Sequence, residues 1–213
     1  MKKTILELLR NTKEYISGQE ISNQLGISRT AVWKNIQSLQ NEGYRVEAVR
    51  NKGYHLLETP NDVTFAEVSH ALSTKWIGHE LYCYDKIDST NLQIKRLAEE
   101  GKEEGTLAIA DCQESGRGRR GRSWASPSGD GLWMSLLLRP KFSIDKASMI
   151  TLLVAMAVQR GIQNATGLQT QIKWPNDIVY EGRKVCGILT EMTIEESHIN
   201  YVVVGIGVNV NTE

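Results

Sequence analysis

Between Ser115 and Trp124 the chain reads SGRGRRGRSW, four arginines interleaved with three glycines. Guanidinium groups are planar, permanently charged, bidentate donors for carboxylate and phosphate. Glycines between them let the backbone approach a ligand closely. The stretch is a candidate anion-gripping loop, although not a Walker-type phosphate loop, which requires a lysine and Ser/Thr after its last glycine. Arginine–glycine repeats also occur in disordered RNA-binding tails. Here strand patterns flank the repeat on both sides, GTLAIADC and GDGLWMSLLLR, so it is a loop inside a domain.

Three further stretches are polar or glycine-rich where a plain core would not require it. DSTN, Asp88–Asn91, precedes a helical pattern. It reads most simply as an N-cap, and otherwise as hydroxyl and amide groups set beside free backbone N–H groups to hold a small polar ligand. KWPNDIVYEGRKVCGIL, Lys173–Leu189, turns at Asn176 and Asp177 into a hairpin with EGRK at its tip. Its lysines and carboxylate suit a nucleotide phosphate with Mg²⁺, or are merely the solvated charges of a hairpin. GIGVNVN, Gly205–Asn211, is an alternating strand whose asparagines are ligand contacts or ordinary strand-end residues.

The elements that must position these residues begin after residue 64. The pattern predicts a helix over 65–73, a strand near 80–85, a helix after Ser89 and a strand over 106–112. The apolar strand GLWMSLLLR, a helix over about 146–165, and the strands TQIKWP, VCGILTEM and YVVVGIGVNV complete the order. The fold class expected is α+β, with a mixed or largely antiparallel sheet rather than a Rossmann array. Cys186, two residues after Lys184, is expected only to pack.

The first 58 residues have a different character. Ile5, Leu8 and Leu9 recur at helical spacing, and SGQEISNQLGISRTAVWKNIQSLQNEGY follows. Ile21 and Leu25 mark a short helix broken by Gly26. Ser28 caps a second helix with Val32, Ile36 and Leu39 inward, stopping at Gly43. Two helices about a glycine turn form a helix-turn-helix, with Ser28 at its start and Arg29, Thr30, Trp33, Lys34 and Gln37 facing a DNA major groove. YRVEAVR, NKG and YHLLE add a β-hairpin with Lys52 at the tip, placed for phosphate. This is a winged helix-turn-helix, or, more plainly, a small helical domain for protein contacts. ETPNDVT carries the linker, giving domains 1–58 and 65–213 joined by 59–64.

Charge agrees with that division. Nine Lys+Arg against six Asp+Glu fall in residues 1–58, on a chain of zero formal net charge. No apolar run reaches membrane-span length and no secretory signal is present. Three cysteines and four histidines are scattered, which argues against a disulfide framework or structural metal and for the reducing cytoplasm.

Taken in order, DSTN, QESGRGRRGRSW, KWPNDI, GRKVCGIL and GIGVNVN resemble the biotin protein ligases. With the winged helix in front, the whole chain is similar to the bifunctional form, a biotin operon repressor that is also the biotin–carboxyl carrier protein ligase. The resemblance implies a catalytic domain of the biotin/lipoate protein ligase type. Ser89, Thr90, Asn91, Gln113, Arg117, Gly118, Arg119 and Lys184 would bind biotin. Arg117, Arg119, Arg120, Trp124, Lys173, Asn176, Lys184 and Asn209 would bind ATP or the adenylate, Arg117 and Lys184 being catalytic. Asp177 would meet Mg²⁺.

It further implies biotinyl-5′-AMP as intermediate and corepressor, a biotin carboxyl carrier protein of acetyl-CoA carboxylase as acceptor, operator DNA, and an adenylate-bound homodimer. Family members continue past GIGVNVN to finish the catalytic domain and add a C-terminal β-barrel, so the resemblance implies that both are lacking here. A DNA-binding biotin sensor without full ligase activity is the alternative. A lipoate ligase and an RNA-binding protein are the readings from other classes.

Overall fold

In the computed structural model, residues 1–60, 64–196 and 198–212 are described. The chain divides into two compact units, Met1–Asp62 and Val63–Glu213. Of the expected linker, residues 61–63 lie outside the described residues.

The first unit has helices α1 (Lys2–Asn11), α2 (Gly18–Leu25) and α3 (Arg29–Asn41), then a hairpin of β1 (Arg45–Val49) and β2 (Gly53–Glu58). The Ser17 and Ser28 hydroxyls accept from Glu20 N at 3.0 Å and Ala31 N at 3.1 Å, satisfying backbone donors that a helix start leaves orphaned. Gly26 ends α2 in the left-handed region. Helix α1 buries Ile5, Leu6 and Leu9, with Leu8 only half-buried, against Ile21, Val32, Ile36 and Leu39. Ile16 and Tyr54 exchange backbone hydrogen bonds of 3.0 and 2.9 Å, which fasten β2 to the segment after α1. Gly53 is required there: its φ is +123°, and a Cβ would stand 2.1 Å from the Ile16 carbonyl oxygen.

The second unit contains α4 (Phe65–Ala71), β3 (Leu81–Ile87), α5 (Thr90–Glu99), β4 (Leu107–Gln113) and β5 (Gly131–Leu138). It continues with α6 (Ser148–Thr166), β6 (Gln171–Lys173), β7 (Asp177–Tyr180), β8 (Arg183–Glu195) and β9 (His198–Asn209). The seven strands form one sheet ordered β3-β4-β5-β9-β8-β7-β6. Only β3 and β4 run parallel, so the sheet is mixed as expected. The strand expected to run to Pro175 stops at Lys173, since proline has no N–H for the ladder. Asp177 already opens β7, the first arm of the hairpin expected with EGRK at its tip.

Strand alternation gives the sheet two faces. On one, Ile94, Leu97 and Ala98 of α5 pack on Ala108, Leu137, Tyr201 and Val203. On the other, Ile150 and Ala155 of α6 meet Ile109, Leu136, Val202, Val204 and Ile188. The register places three rows across the α5 face: Trp133–Gly207–Gly187, Ser135–Gly205–Leu189 and Leu137–Val203–Glu191. Two of these rows have a glycine or serine where the core would take a large apolar side chain. That gap is the floor of the site.

Candidate active site and DNA-binding face

DSTN enters this gap from the start of α5. Ser89 holds the N-cap position but makes no capping bond through its side chain, so the simpler reading of the stretch does not hold. Ser89, Thr90 and Asn91 are all buried. Gln113, at the end of β4, accepts from Thr90 N at 2.8 Å and Thr90 Oγ1 at 3.0 Å, and donates to Ser126 Oγ at 2.8 Å. Ser135 Oγ lies 2.7 Å from Thr90 Oγ1 and 2.6 Å from Asn91 Oδ1. Asn91 presses so close to the sheet that a Cβ at Gly205 would stand 2.1 Å from its Oδ1.

The basic loop leaves β4 and folds back as a small hairpin. Trp124 N donates to Gly116 O at 2.8 Å, and Gly118 N to Arg122 O at 2.7 Å. Arg119–Gly121 make a 3₁₀ turn, with Arg120 at φ +56°. The hairpin lays Trp124 on the glycine floor: a Cβ at Gly207 would stand 2.6 Å from its Nε1, and one at Gly187 2.7 Å from its Cζ3. Trp133 supports it edge-on, with ring centroids 6.4 Å apart. Trp124 Nε1 is buried without a hydrogen-bond partner, a donor left for a ligand.

The KWPND–GRK hairpin closes the opposite wall. Lys184 Nζ pairs with Asp177 Oδ1 at 2.8 Å and lies 4.7 Å from the Trp124 ring centroid. Arg119 crosses from the loop to donate to Asn176 Oδ1 at 2.8 Å, and Asn176 Nδ2 is anchored on Ile188 O. Arg117 approaches Glu191 at 3.6 Å. Asn209 donates through Nδ2 to the Lys184 carbonyl at 3.0 Å. Cys186 is fully buried behind this strand, where loss of hydration pushes its thiol up to about 12.

These walls share one cavity, lined by Ser89, Thr90, Asn91, Gln113, Arg117, Gly118, Arg119, Trp124, Asn176 and Lys184 among others. Every residue that the resemblance implied for biotin is therefore at one place. Asn209 stands behind Lys184. Arg120 and Lys173 are exposed and do not line the cavity; Arg120 faces a second hollow outside the loop. The enclosed volume is about 50 Å³, room for a few waters. Sequence reasoning missed Gly187, Gly205, Gly207, Ser126, Ser135 and Glu191. Their signals were glycine inside β-branched strands and serine inside LWMSLLL.

No group of three or more His, Cys, Asp or Glu side chains among the described residues forms a ready metal cage. Asp177 suits an ion that draws its remaining ligands from phosphates and water, as Mg²⁺ does.

In the first unit, Ser28, Arg29, Thr30, Trp33, Lys34, Gln37 and Lys52 are all exposed, Trp33 to 53%. The Ser28 hydroxyl is engaged as the α3 cap. A groove of about 950 Å³ runs between Arg29, Thr30 and Trp33 on α3 and Arg50, Asn51 and Lys52 on the wing.

Fold and site together define a helix-turn-helix module joined to a mixed-sheet domain whose cavity is lined by Arg117, Arg119 and Lys184. The Biotin/lipoate A/B protein ligase family model matches residues 83–209, and an HTH domain model matches residues 2–55. The chain belongs to the biotin/lipoate A/B protein ligase family. It is 49% identical over its full length to the bifunctional ligase/repressor BirA of Bacillus subtilis (strain 168), of which it covers 66%. It is 33% identical to the protein of that name from Escherichia coli (strain K12), over 96% of this chain and 62% of that one. The solved biotin protein ligase from Aquifex aeolicus, in complex with biotin and ATP, aligns with a TM-score of 0.54 at 36% identity. That alignment covers 63% of this chain and 54% of the other. The chain thus spans less than two thirds of the length of these relatives.

Proposed function

We propose that the chain is a biotin protein ligase that also represses a biotin operon, with residues 1–58 binding DNA, 59–64 as linker and 65–213 carrying the ligase site. The carrying observation is convergence: Arg117, Arg119 and Lys184 surround one glycine-floored cavity whose other wall is the buried Ser89–Thr90–Asn91 cluster. Two anions must meet there. The biotin carboxylate oxygen forms a bond to the α-phosphorus of ATP, and the bond to pyrophosphate breaks.

Arg117, Arg119 and Lys184 offset the repulsion between the anions and stabilise charge on the phosphoryl oxygens. Ser89, Thr90, Asn91 and Gln113 give the neutral ring system of biotin its hydrogen bonds. Trp124 and Asn209 adjoin the adenine, while Lys173, Asn176 and Arg120 serve the nucleotide as the loop moves. Mg²⁺, when bound at Asp177, would shield the phosphates. The product, biotinyl-5′-AMP, is a mixed anhydride. The closed hairpin keeps water from it until a lysine amine of the carrier protein displaces AMP.

The exposed face of α3 and the wing support operator recognition by a homodimer formed in the adenylate-bound state, each protomer taking one half-site. Among the described residues no helix is long and apolar enough to cross a membrane. The three free cysteines accord with a cytoplasmic location.

The test is incubation of the chain with biotin, ATP and Mg²⁺, followed by mass spectrometry for biotinyl-5′-AMP. Adenylate with stoichiometric pyrophosphate, and none when lipoate replaces biotin, is the expected result. Biotin binding without adenylate would leave a DNA-binding sensor. No binding of biotin would overturn the reading.

A further inference from the structure

Four oxygens stand in line along the Ser89–Asn91 wall, and Thr90, Asn91 and Ser135 are buried. Gln113 Oε1 lies 3.0 Å from Thr90 Oγ1, which lies 2.7 Å from Ser135 Oγ, which lies 2.6 Å from Asn91 Oδ1. Each spacing is that of a hydrogen bond and needs a hydrogen of its own. A hydroxyl carries one, and an amide oxygen carries none. Three contacts therefore share two hydrogens.

A third hydrogen could come only from an amide turned end for end, and both amides are pinned. Gln113 Oε1 also accepts from Thr90 N at 2.8 Å, while its Nε2 donates to Ser126 Oγ at 2.8 Å. Reversed, it would set its NH₂ against a backbone N–H. Asn91 Nδ2 donates to Glu191 Oε2 at 2.8 Å, and an ionised carboxylate only accepts. Lys95 favours that ionised form, its Nζ meeting the other oxygen, Oε1, at 2.8 Å. Glu191 stands on β8 opposite Val203, one row from the Ser135–Gly205 pair, and does not line the cavity. The resemblance gives it no role.

We infer that Glu191 is a positioning residue that, through Asn91, leaves this wall one hydrogen short, so that the wall accepts an N–H from its ligand and offers none. Every arrangement that fills two of the three contacts turns the Thr90 hydrogen inward, to Ser135 or to Gln113. Thr90 and Asn91 line the cavity. A ligand N–H there meets free lone pairs, whereas a ligand carbonyl must take a hydrogen from a chain already short of one. The shortage stands on the geometry alone. Its use on a cyclic urea such as that of biotin rests on the proposed ligase reading.

The first measurement needs no ligand. In the isotope-labelled whole chain, the Asn91 side-chain amide hydrogens should show nuclear Overhauser contacts to the Glu191 methylenes and not to the Ser135 methylene. Glu191→Gln supplies an amide that can donate to Asn91 Oδ1. Asn91 should then turn its NH₂ to Ser135, and the contacts should exchange. An Asn91 NH₂ facing Ser135 in the native chain would overturn the inference, and that outcome requires no variant to fold.

The second measurement separates donor from acceptor. Ethylene urea and ethylene carbonate are five-membered rings of similar shape, and only the urea carries N–H. Titrated into the native chain and read at the Asn91 and Gln113 side-chain amides, the urea should bind about tenfold more tightly. Glu191→Gln should reduce that preference about three- to tenfold. After Ser135→Ala the line of oxygens is cut, and Glu191→Gln should then change nothing, where two independent packing losses would add. No preference for the urea, or a preference that ignores residue 191, overturns the inference. A native chain that does not bind biotin refutes the ligase reading alone, because the two small rings report on the wall itself.

Discussion

Lys184 and Asp177 face each other across the β7–β8 hairpin, Nζ to Oδ1 at 2.8 Å, with the Trp124 ring beneath the ammonium. The pair holds the Lys184 ammonium at the cavity wall. Lys184→Ala should lower biotin- and ATP-dependent pyrophosphate release by about a hundredfold or more. Circular dichroism should be unchanged, because the side chain supports no core contact. Activity near the native level would show that Lys184 is a surface charge only.

Gly207 tests the glycine floor. Its backbone is extended, so alanine is allowed by the strand itself, but the new methyl would meet the Trp124 indole at 2.6 Å. Gly207→Ala should displace the ring, change tryptophan fluorescence and weaken biotin binding at least about tenfold, with a stability loss of about 1–3 kcal/mol from overpacking. An unshifted emission spectrum would contradict the packing described here.

The Glu191 cluster has a pH signature. Burial raises its carboxyl, but the Asn91 and Lys95 hydrogen bonds and the charges of Lys95 and Arg117 outweigh burial and hold it below the ordinary carboxylate range. A depressed folded value means the stabilisation is fully present above about pH 4.3, the unfolded value, and is lost as pH falls through the folded one. Urea unfolding from pH 7 to pH 3.5 should therefore show less acid sensitivity in Glu191→Gln than in the native chain. Parallel curves would refute the assignment.

Thiol chemistry gives a fourth handle. Loss of hydration pushes Cys83 up to about 11 and Cys186 up to about 12. At pH 8 both should resist a disulfide reagent in the native chain and react promptly in denaturant, as thiolates are the reactive form. Fast native reaction traced to Cys186 by peptide mapping would place it outside the core.

The wing has its own test. Gly53→Ala sets a methyl 2.1 Å from the Ile16 carbonyl at a φ of +123°. About 1–3 kcal/mol of stability should go with it, along with the two backbone bonds between Ile16 and Tyr54. Affinity for operator DNA, measured by electrophoretic mobility shift, should fall while biotin binding does not.

Much of this was legible in the chain. The first unit's helices α2 and α3 were marked by local signals, Gly26 after α2 and Ser28 before α3, because capping chemistry acts over a few residues. The basic loop declared itself by composition. DSTN was ambiguous because both readings put polar groups at a helix start; only β4 and β5, which bring Gln113 and Ser135 to Thr90, show these groups engaged with the sheet rather than capping the helix. Gly187, Gly205 and Gly207 passed as ordinary strand residues because their purpose lies in the side chain facing them, Trp124 or Asn91, and register is not written locally. The α1 face shifted from Leu8 to Leu6 for a similar reason: spacing marks a stripe, and the neighbour chooses which side of it is covered.

The bond between Asn91 and Glu191 joins residues one hundred positions apart, and β5, paired with β4 on one side, finds its second partner only in β9, the middle strand of the sheet. Such long loops must close before either contact returns any free energy, which makes the folding of this unit slow relative to that of the helical first unit. On a ribosome the first unit is complete long before β9 emerges. Helix α3, with its exposed face, therefore exists for an interval in which no cavity has yet been built.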